Sequence, residues 1–335
     1  MKHLKINASS DGLELAVTVC EPEGLPQPEG RQLPDGRQLP EGEPDGRQLP
    51  DGRPRPEGQP AAKGIFQIVH GMAEHKERYY EFMEFLASNG FVAVICDLRG
   101  HGESVKSEKD LGYLYDGGWK GMVEDVKCVQ DWAKREYPGL PVTLFGHSMG
   151  SLIARSFAKR YDDAIARLIV CGCPSDNPAK SAGHVLASLI GTFLGGHHRS
   201  RLLNGMSFGS YDKAFKADGP FAWLSKNREN VRNYIRDPLC GFCFTANGFK
   251  GLLGLMKDCY GAKGWKMANP NLPIRFISGG NDPCRISDKD FRKAVAFLQS
   301  RGYRQVGSRL FPTLRHEILR EEDPAVFTDI LKFLS

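Results

Sequence analysis

No apolar run in the 335 residues approaches the roughly 20 that a membrane-crossing helix needs, which excludes a helical span. The opening MKHLKINASSDGLELAVTVC has no apolar leader core, so secretion is not expected. Paired cysteines are also lacking. The nine present, at 20, 96, 128, 171, 173, 240, 243, 259 and 284, are odd in number and scattered. They give no disulfide framework, and a reducing cytoplasm is the expected setting. Cys171/Cys173 and Cys240/Cys243 are the close pairs, but 66 residues separate them, so they read as small apolar residues and no metal is expected. Long basic runs are absent as well. The net charge of +5 hides an acidic stretch, residues 21–60, with five Arg against nine Asp and Glu. The cations elsewhere are dispersed, which excludes a nucleic-acid footprint and leaves room for weak attraction to anionic surfaces.

Residues 21–60 contain ten of the 21 prolines, four leucines and no aromatic residue. The unit Pro-Glu/Asp-Gly-Arg-Gln-Leu begins at Pro28, Pro34 and Pro44, with shortened copies at Pro40, Pro50 and Pro56. Such a segment has too little apolar surface to offset its ordering entropy and reads as an extended, solvated insert. Before it, residues 3–20 read as two strands around the turn Asn7–Gly12. After residue 60 strand and helix alternate. Strands are expected at Ile65–His70, Phe91–Cys96, Pro141–Phe145 and Ala166–Cys171, and helices at Glu77–Asn89, Trp119–Tyr137 and Met149–Tyr161. This rhythm predicts an α/β fold with a parallel sheet covered on both faces. It stops over residues 174–271 and resumes with strands Ile274–Ser278 and Ser308–Phe311 and helices Asp288–Arg301 and Pro324–Phe333. The expected organisation is a core in two parts, 1–173 and 272–335, with an inserted cap at 174–271.

Gly146-His147-Ser148-Met149-Gly150 is a G-x-S-x-G sequence lying between an apolar strand and a helix-competent run. That context is the nucleophile elbow, a strained turn that lifts a serine hydroxyl out of the sheet. In this architecture the acid and then the histidine follow the serine in the chain. Of the downstream histidines, His184, His197 and His198 fall in the cap, which leaves His316 as the base. Asp282 ends a strand in Ile277-Ser-Gly-Gly-Asn-Asp-Pro283 and is the acid; Asp288 and Asp290 are weaker candidates because acids commonly cap helices. The backbone N–H groups of Met149 and of Met72, in the loop after the third strand, are the expected oxyanion donors. His70, His101 and His147 read as hydrogen-bonded braces and Arg99 as a structural ion pair. The apolar runs Val185–Leu194 and Gly251–Met256 are candidates for an acyl pocket.

His70-Gly-Met-Ala-Glu-His75 with Arg78-Tyr79, Asp97-Leu-Arg-Gly-His-Gly-Glu-Ser104, the elbow, Asn281-Asp-Pro283 and His316-Glu317 form an ordered set. It resembles the monoacylglycerol lipase-like branch of the α/β-hydrolases, with its bacterial lysophospholipase-like members and serine aminopeptidase S33-type domain. The resemblance spans residues 3 to 335 apart from the insert. It implies an eight-stranded, mostly parallel sheet flanked by helices and a small cap. It implies Ser148, Asp282 and His316 as a triad, Met72 and Met149 as oxyanion donors, and hydrolysis of single-acyl esters through an acyl-enzyme without a cofactor. The expected partner is a small ester or lipid, with peripheral membrane contact through the cap and no obligate protein partner. Aminopeptidase, amidase or thioesterase chemistry on the same triad is the nearest alternative, and a non-catalytic binding protein the more distant one.

Overall fold

The computed structural model describes residues 1–25 and 62–335. The reading of the Pro-Gly-Arg repeats as a solvated loop falls, from 26 to 61, outside the described residues. Strands β1 (Lys2–Asn7) and β2 (Glu14–Cys20) form an antiparallel hairpin. The turn between them is where the sequence put it, with Gly12 at φ 70°. They join β3 (Gly64–Val69), β4 (Phe91–Cys96), β5 (Val142–His147), β6 (Arg167–Cys171), β7 (Ile274–Gly279) and β8 (Val306–Phe311) in one eight-stranded sheet of order β1-β2-β4-β3-β5-β6-β7-β8. β2 runs antiparallel to β4, and every pairing from β4 to β8 is parallel.

Helices cover both faces, which explains why the central strands read as unbroken apolar runs. Side chains alternate along each strand. Ile65, Val92, Val94 and Leu144 pack in one core with α2 (Gly118–Glu136), α3 (Met149–Tyr161) and α8 (Asp288–Arg301). Phe66, Ala93, Ile95 and Phe145 pack in the other with α1 (Tyr80–Ser88) and α9 (Pro324–Leu334). Each fully buried Val, Leu, Ile or Phe contributes about 1.5–3 kcal/mol relative to exposure. The first helix begins later than its pattern predicts, because Lys76–Tyr79 forms a 3₁₀ turn before α1.

Between β6 and β7 the chain leaves the sheet and forms α4 (Lys180–Leu194), α5 (Arg201–Phe208), α6 (Arg228–Arg236) and α7 (Ala246–Cys259). α7 packs on α3 as well as α4, and its Phe249, Leu252 and Leu255 belong to the main core. The strand order also locates the crevice. From β3 the chain first adds β4 on one side and then β5 on the other. The loops after β3 and β5 therefore part at the carboxyl end of the sheet, where open α/β sheets hold ligands.

Candidate active site

Ser148 is the single residue between β5 and α3, at φ 53°, ψ −119°. A non-glycine residue held there stores strain of about 1–3 kcal/mol. Close packing enforces it. A Cβ on Gly146 would stand 2.3 Å from the Gly150 carbonyl oxygen, and one on Gly150 would stand 2.1 Å from that of Val69. Both elbow glycines are thus required by approach distance. Met149 opens α3, so its N–H is one of those at a helix start without an intrahelical acceptor.

Asp282 follows β7, and His316 lies beyond β8. Asp282 Oδ2 stands 2.9 Å from His316 Nδ1. Both groups are buried, so the pair faces little competition from water. Asp282 Oδ1 accepts from the Cys284 N–H at 2.8 Å, and Oδ2 from the Ser278 hydroxyl at 3.1 Å. Burial alone pushes this carboxyl up, but the His316 imidazole and these donors outweigh it and hold it below its ordinary range. The His316 ring is buried between His147 (centroids 4.7 Å apart) and Trp223 (5.1 Å). Its loop is held by the β6–β7 excursion: the N–H groups of His316 and Glu317 donate to the carbonyls of Trp223 and Leu224.

The sequence did not announce the buried network beneath these residues. Glu74 Oε1 accepts from the Gly71 N–H at 2.6 Å and the Tyr79 hydroxyl at 3.0 Å, and lies 3.3 Å from His147 Nδ1. Its Oε2 accepts from Arg78 at 2.9 Å. Arg78 also grips both oxygens of Glu317, at 2.7 and 2.8 Å, and donates to Asn230 on α6. His147 Nε2 reaches the His316 carbonyl at 3.2 Å. One network therefore joins the Met72 loop, the elbow, the base loop and α6. The i, i+4 spacing of Glu74 and Arg78 was visible in the sequence, but Glu317 and Asn230, at 239 and 152 residues' separation from Arg78, were not assignable.

The expected braces are braces. His70 Nε2 accepts from the Leu98 N–H at 2.9 Å, which leaves the proton on Nδ1, 2.8 Å from the Gly71 carbonyl. His101 Nδ1 lies 3.0 Å from the Arg99 carbonyl. Arg99 is fully buried and paired with Asp125 and Asp11.

Ser148, His316, Met72 and Met149 line one cavity of about 260 Å³, with Asp282 set behind the imidazole. Leu252, Leu253 and Met256 of α7 form part of its apolar wall together with Phe208 and Trp223. Here one expectation is corrected. The Gly251–Met256 run reaches the cavity, but Val185–Leu194 does not: Val185, Leu189, Phe193 and Leu194 are 50–79% exposed. Periodicity marks an apolar stripe on α4 without saying which way it faces, and α4 meets α7 through its other side.

Residues 60–323 match the family described as serine aminopeptidase, S33. A monoacylglycerol lipase of Mycolicibacterium smegmatis is 25% identical over 274 residues, covering 81% of this chain and 88% of that protein. Rat monoglyceride lipase is 26% identical over 272 residues, 80% of each chain. Among solved structures, a thermostable carboxyl esterase from Bacillus coagulans superposes with a TM-score of 0.81 at 22% identity, over 100% of this chain and 99% of that one. The Paleococcus ferrophilus monoacylglycerol lipase gives 0.61 at 21% identity, over 82% and 95%. With an elbow serine at the switch point of an eight-stranded sheet, this chain belongs to the serine aminopeptidase S33 family, within the monoacylglycerol lipase-like carboxylic ester hydrolases of the α/β-hydrolase fold.

Proposed function

We propose that the chain hydrolyses single-acyl lipid esters, of monoacylglycerol or lysophospholipid type, with Ser148 as nucleophile, His316 as base and Asp282 as its ionised partner. The observation that carries this reading is one cavity shared by an elbow serine at positive φ and an imidazole whose Nδ1 lies 2.9 Å from a buried carboxylate. His316 Nε2 takes the Ser148 proton as Oγ bonds to the carbonyl carbon. The N–H groups of Met72 and Met149 hold the oxyanion, each worth about 3–4 kcal/mol in such sites. The C–O bond to the alcohol then breaks, and the alcohol leaves with the proton from His316. Water attacks the acyl-enzyme by the same route, restoring the serine.

Residues 174–271 act as the cap in this reading, with α7 and Phe208 lining the acyl channel. The relatives named as lipases support the ester class, and the apolar wall supports a fatty-acyl chain. An aminopeptidase must hold a free α-ammonium. Two of the carboxylates at the wall, Glu74 and Glu317, are engaged by Arg78, which leaves Asp212, bound on Oδ1 by the Phe221 N–H, as the group an aminopeptidase would have to use. Leu189 and Phe193 on α4, with Leu202 and Met206 on α5, are exposed and fit shallow contact with a lipid surface. No helix among the described residues is long and apolar enough to cross a membrane. The nine free cysteines suit a reducing, cytoplasmic setting.

Turnover of p-nitrophenyl esters of increasing chain length, beside matched thioesters and amino-acid anilides, tests the assignment. The expected outcome is preference for medium or long acyl esters over anilides. Faster cleavage of the anilides would assign the site to peptide chemistry instead.

A further inference from the structure

A second cluster of ligand-type side chains lies outside the cavity, where the loop after β3 meets the connection between α6 and α7. His75 Nε2 stands 2.7 Å from Asp237 Oδ2. One ring nitrogen of His75, one carboxylate oxygen of Asp237 and Cys240 Sγ all lie within 4.8 Å of one another. We infer that His75, Asp237 and Cys240 form a site for a zinc-class divalent cation, tying the loop that carries Met72 to the α6–α7 connection.

Donor chemistry and local support carry this. One nitrogen, one oxygen and one sulfur are the ligand types zinc accepts, and three protein ligands leave a fourth position for water. At ligand distances of about 2.0–2.3 Å, tetrahedral geometry places donor atoms roughly 3.3–3.8 Å apart, so the His75–Asp237 pair needs to open by only about half an ångström. The carboxylate is oriented from behind: its Oδ1 accepts from the Leu239 N–H at 2.8 Å, leaving Oδ2 for the cation. A turn in which the Cys240 N–H donates to the Asp237 carbonyl at 3.0 Å brings the thiol to the same side. The cation enters past Asp237, whose side chain is 29% exposed, while His75 and Cys240 are buried.

The C-x-x-C pair of the sequence is not the site. Cys243 Sγ is turned to the Phe244 and Ser200 carbonyls, at 3.4 and 3.8 Å. The cation replaces the thiol proton, which passes to solvent, so thiolate, carboxylate and neutral imidazole complete the shell. The oxyanion loop is bound to the same place. The Gly241 N–H and the Tyr234 hydroxyl both donate to the Ala73 carbonyl, at 2.9 and 3.1 Å. A cation here adds a third tie beside Met72.

Titration of the full chain with Co²⁺ under a non-chelating phosphine reductant reads the site directly. The expected result is a thiolate-to-Co²⁺ charge-transfer band that saturates at one equivalent and is displaced by Zn²⁺. Cys240→Ser abolishes the band, and Asp237→Asn and His75→Gln each weaken binding at least tenfold. Cys284→Ser retains the band, which separates this cluster from Asp282, Cys284 and His316, the other such cluster among the described residues. No band, a band that survives Cys240→Ser, or one lost only in Cys284→Ser overturns the assignment. If Cys240→Ser does not fold, unchanged affinity in the two other variants overturns it equally.

Discussion

Glu74 and His147 show how much of this site is decided by single groups. Burial alone pulls the His147 imidazole down, but the hydrogen bond and charge of Glu74 outweigh it and leave the ring above its ordinary 6.5. Glu74→Gln removes the larger of the raising influences and leaves only the Glu317 charge and the His316 carbonyl against burial. The His147 ring, followed by NMR, is expected to titrate at a lower pH in the variant than in the native chain, and an unchanged midpoint would remove Glu74 as the cause. Arg78 holds Glu74 and Glu317 together, and its replacement by Leu strands two buried carboxylates. Breaking a buried pair in this way typically costs about 3–5 kcal/mol, readable as a shifted urea midpoint. The residues named from the sequence were those with a motif: Ser148 by its glycines, Asp282 by the end of its strand, His316 by its place after them. Glu74 and Glu317 stood inside quoted motifs without a role and Asn230 outside any, because what they do is a contact between segments far apart in the chain.

At the scale of elements, the elbow depends on the close approach of α3 to the end of β3. Gly150→Ala would drive a Cβ into the Val69 and His70 carbonyls, at 2.1 and 2.5 Å, and backbone must shift. A loss of about 1–3 kcal/mol is expected by urea unfolding, as for other overpacked sites, with lower turnover because the Met72 loop begins just beyond. The helix α4 makes a different prediction. Leu189→Ser and Phe193→Ser are expected to leave turnover of a soluble short-chain ester unchanged and to lower turnover of a micellar long-chain ester several-fold. Equal loss on both substrates would remove the lipid-surface role. Helix and strand periods gave most elements to within a few residues, as with α3 and α8. They could not orient α4, since an apolar stripe looks the same whether it faces a core, a cavity or lipid.

Across the whole molecule, buried neutral histidines set the acid limit. His70 and His101 are both pushed down by burial, His101 to about 3. In the unfolded chain each takes a proton near 6.5, whereas the fold refuses it. The stability they contribute is full above 6.5 and is lost as pH falls toward the folded values. Asp282, Glu74 and Glu317, all held below the usual carboxylate range, add a loss below about 4. The Glu74-bound His147 acts in the opposite sense, and its contribution fades as pH rises through its folded value. The melting temperature is expected to fall steadily from pH 6.5 to 4, with a shallower slope in His101→Gln. An equal slope would place the acid sensitivity elsewhere. The alternating strand and helix pattern made the sheet legible, and the order of Ser148, Asp282 and His316 made the crevice legible. The network that joins the loops was not, because it exists only once β3, β5 and the excursion before β7 are side by side.

Every step of the proposed reaction depends on the Ser148 hydroxyl as nucleophile and on His316 as the base that activates it. Labelling with a fluorophosphonate, followed by peptide mass spectrometry, tests both at once. The expected result is a single phosphonyl adduct on Ser148, none in Ser148→Ala, labelling slowed by orders of magnitude in His316→Ala, and turnover in Ser148→Ala reduced about 10⁶-fold if the three residues act as a unit. An adduct on another residue, or undiminished labelling and turnover in Ser148→Ala, would contradict it.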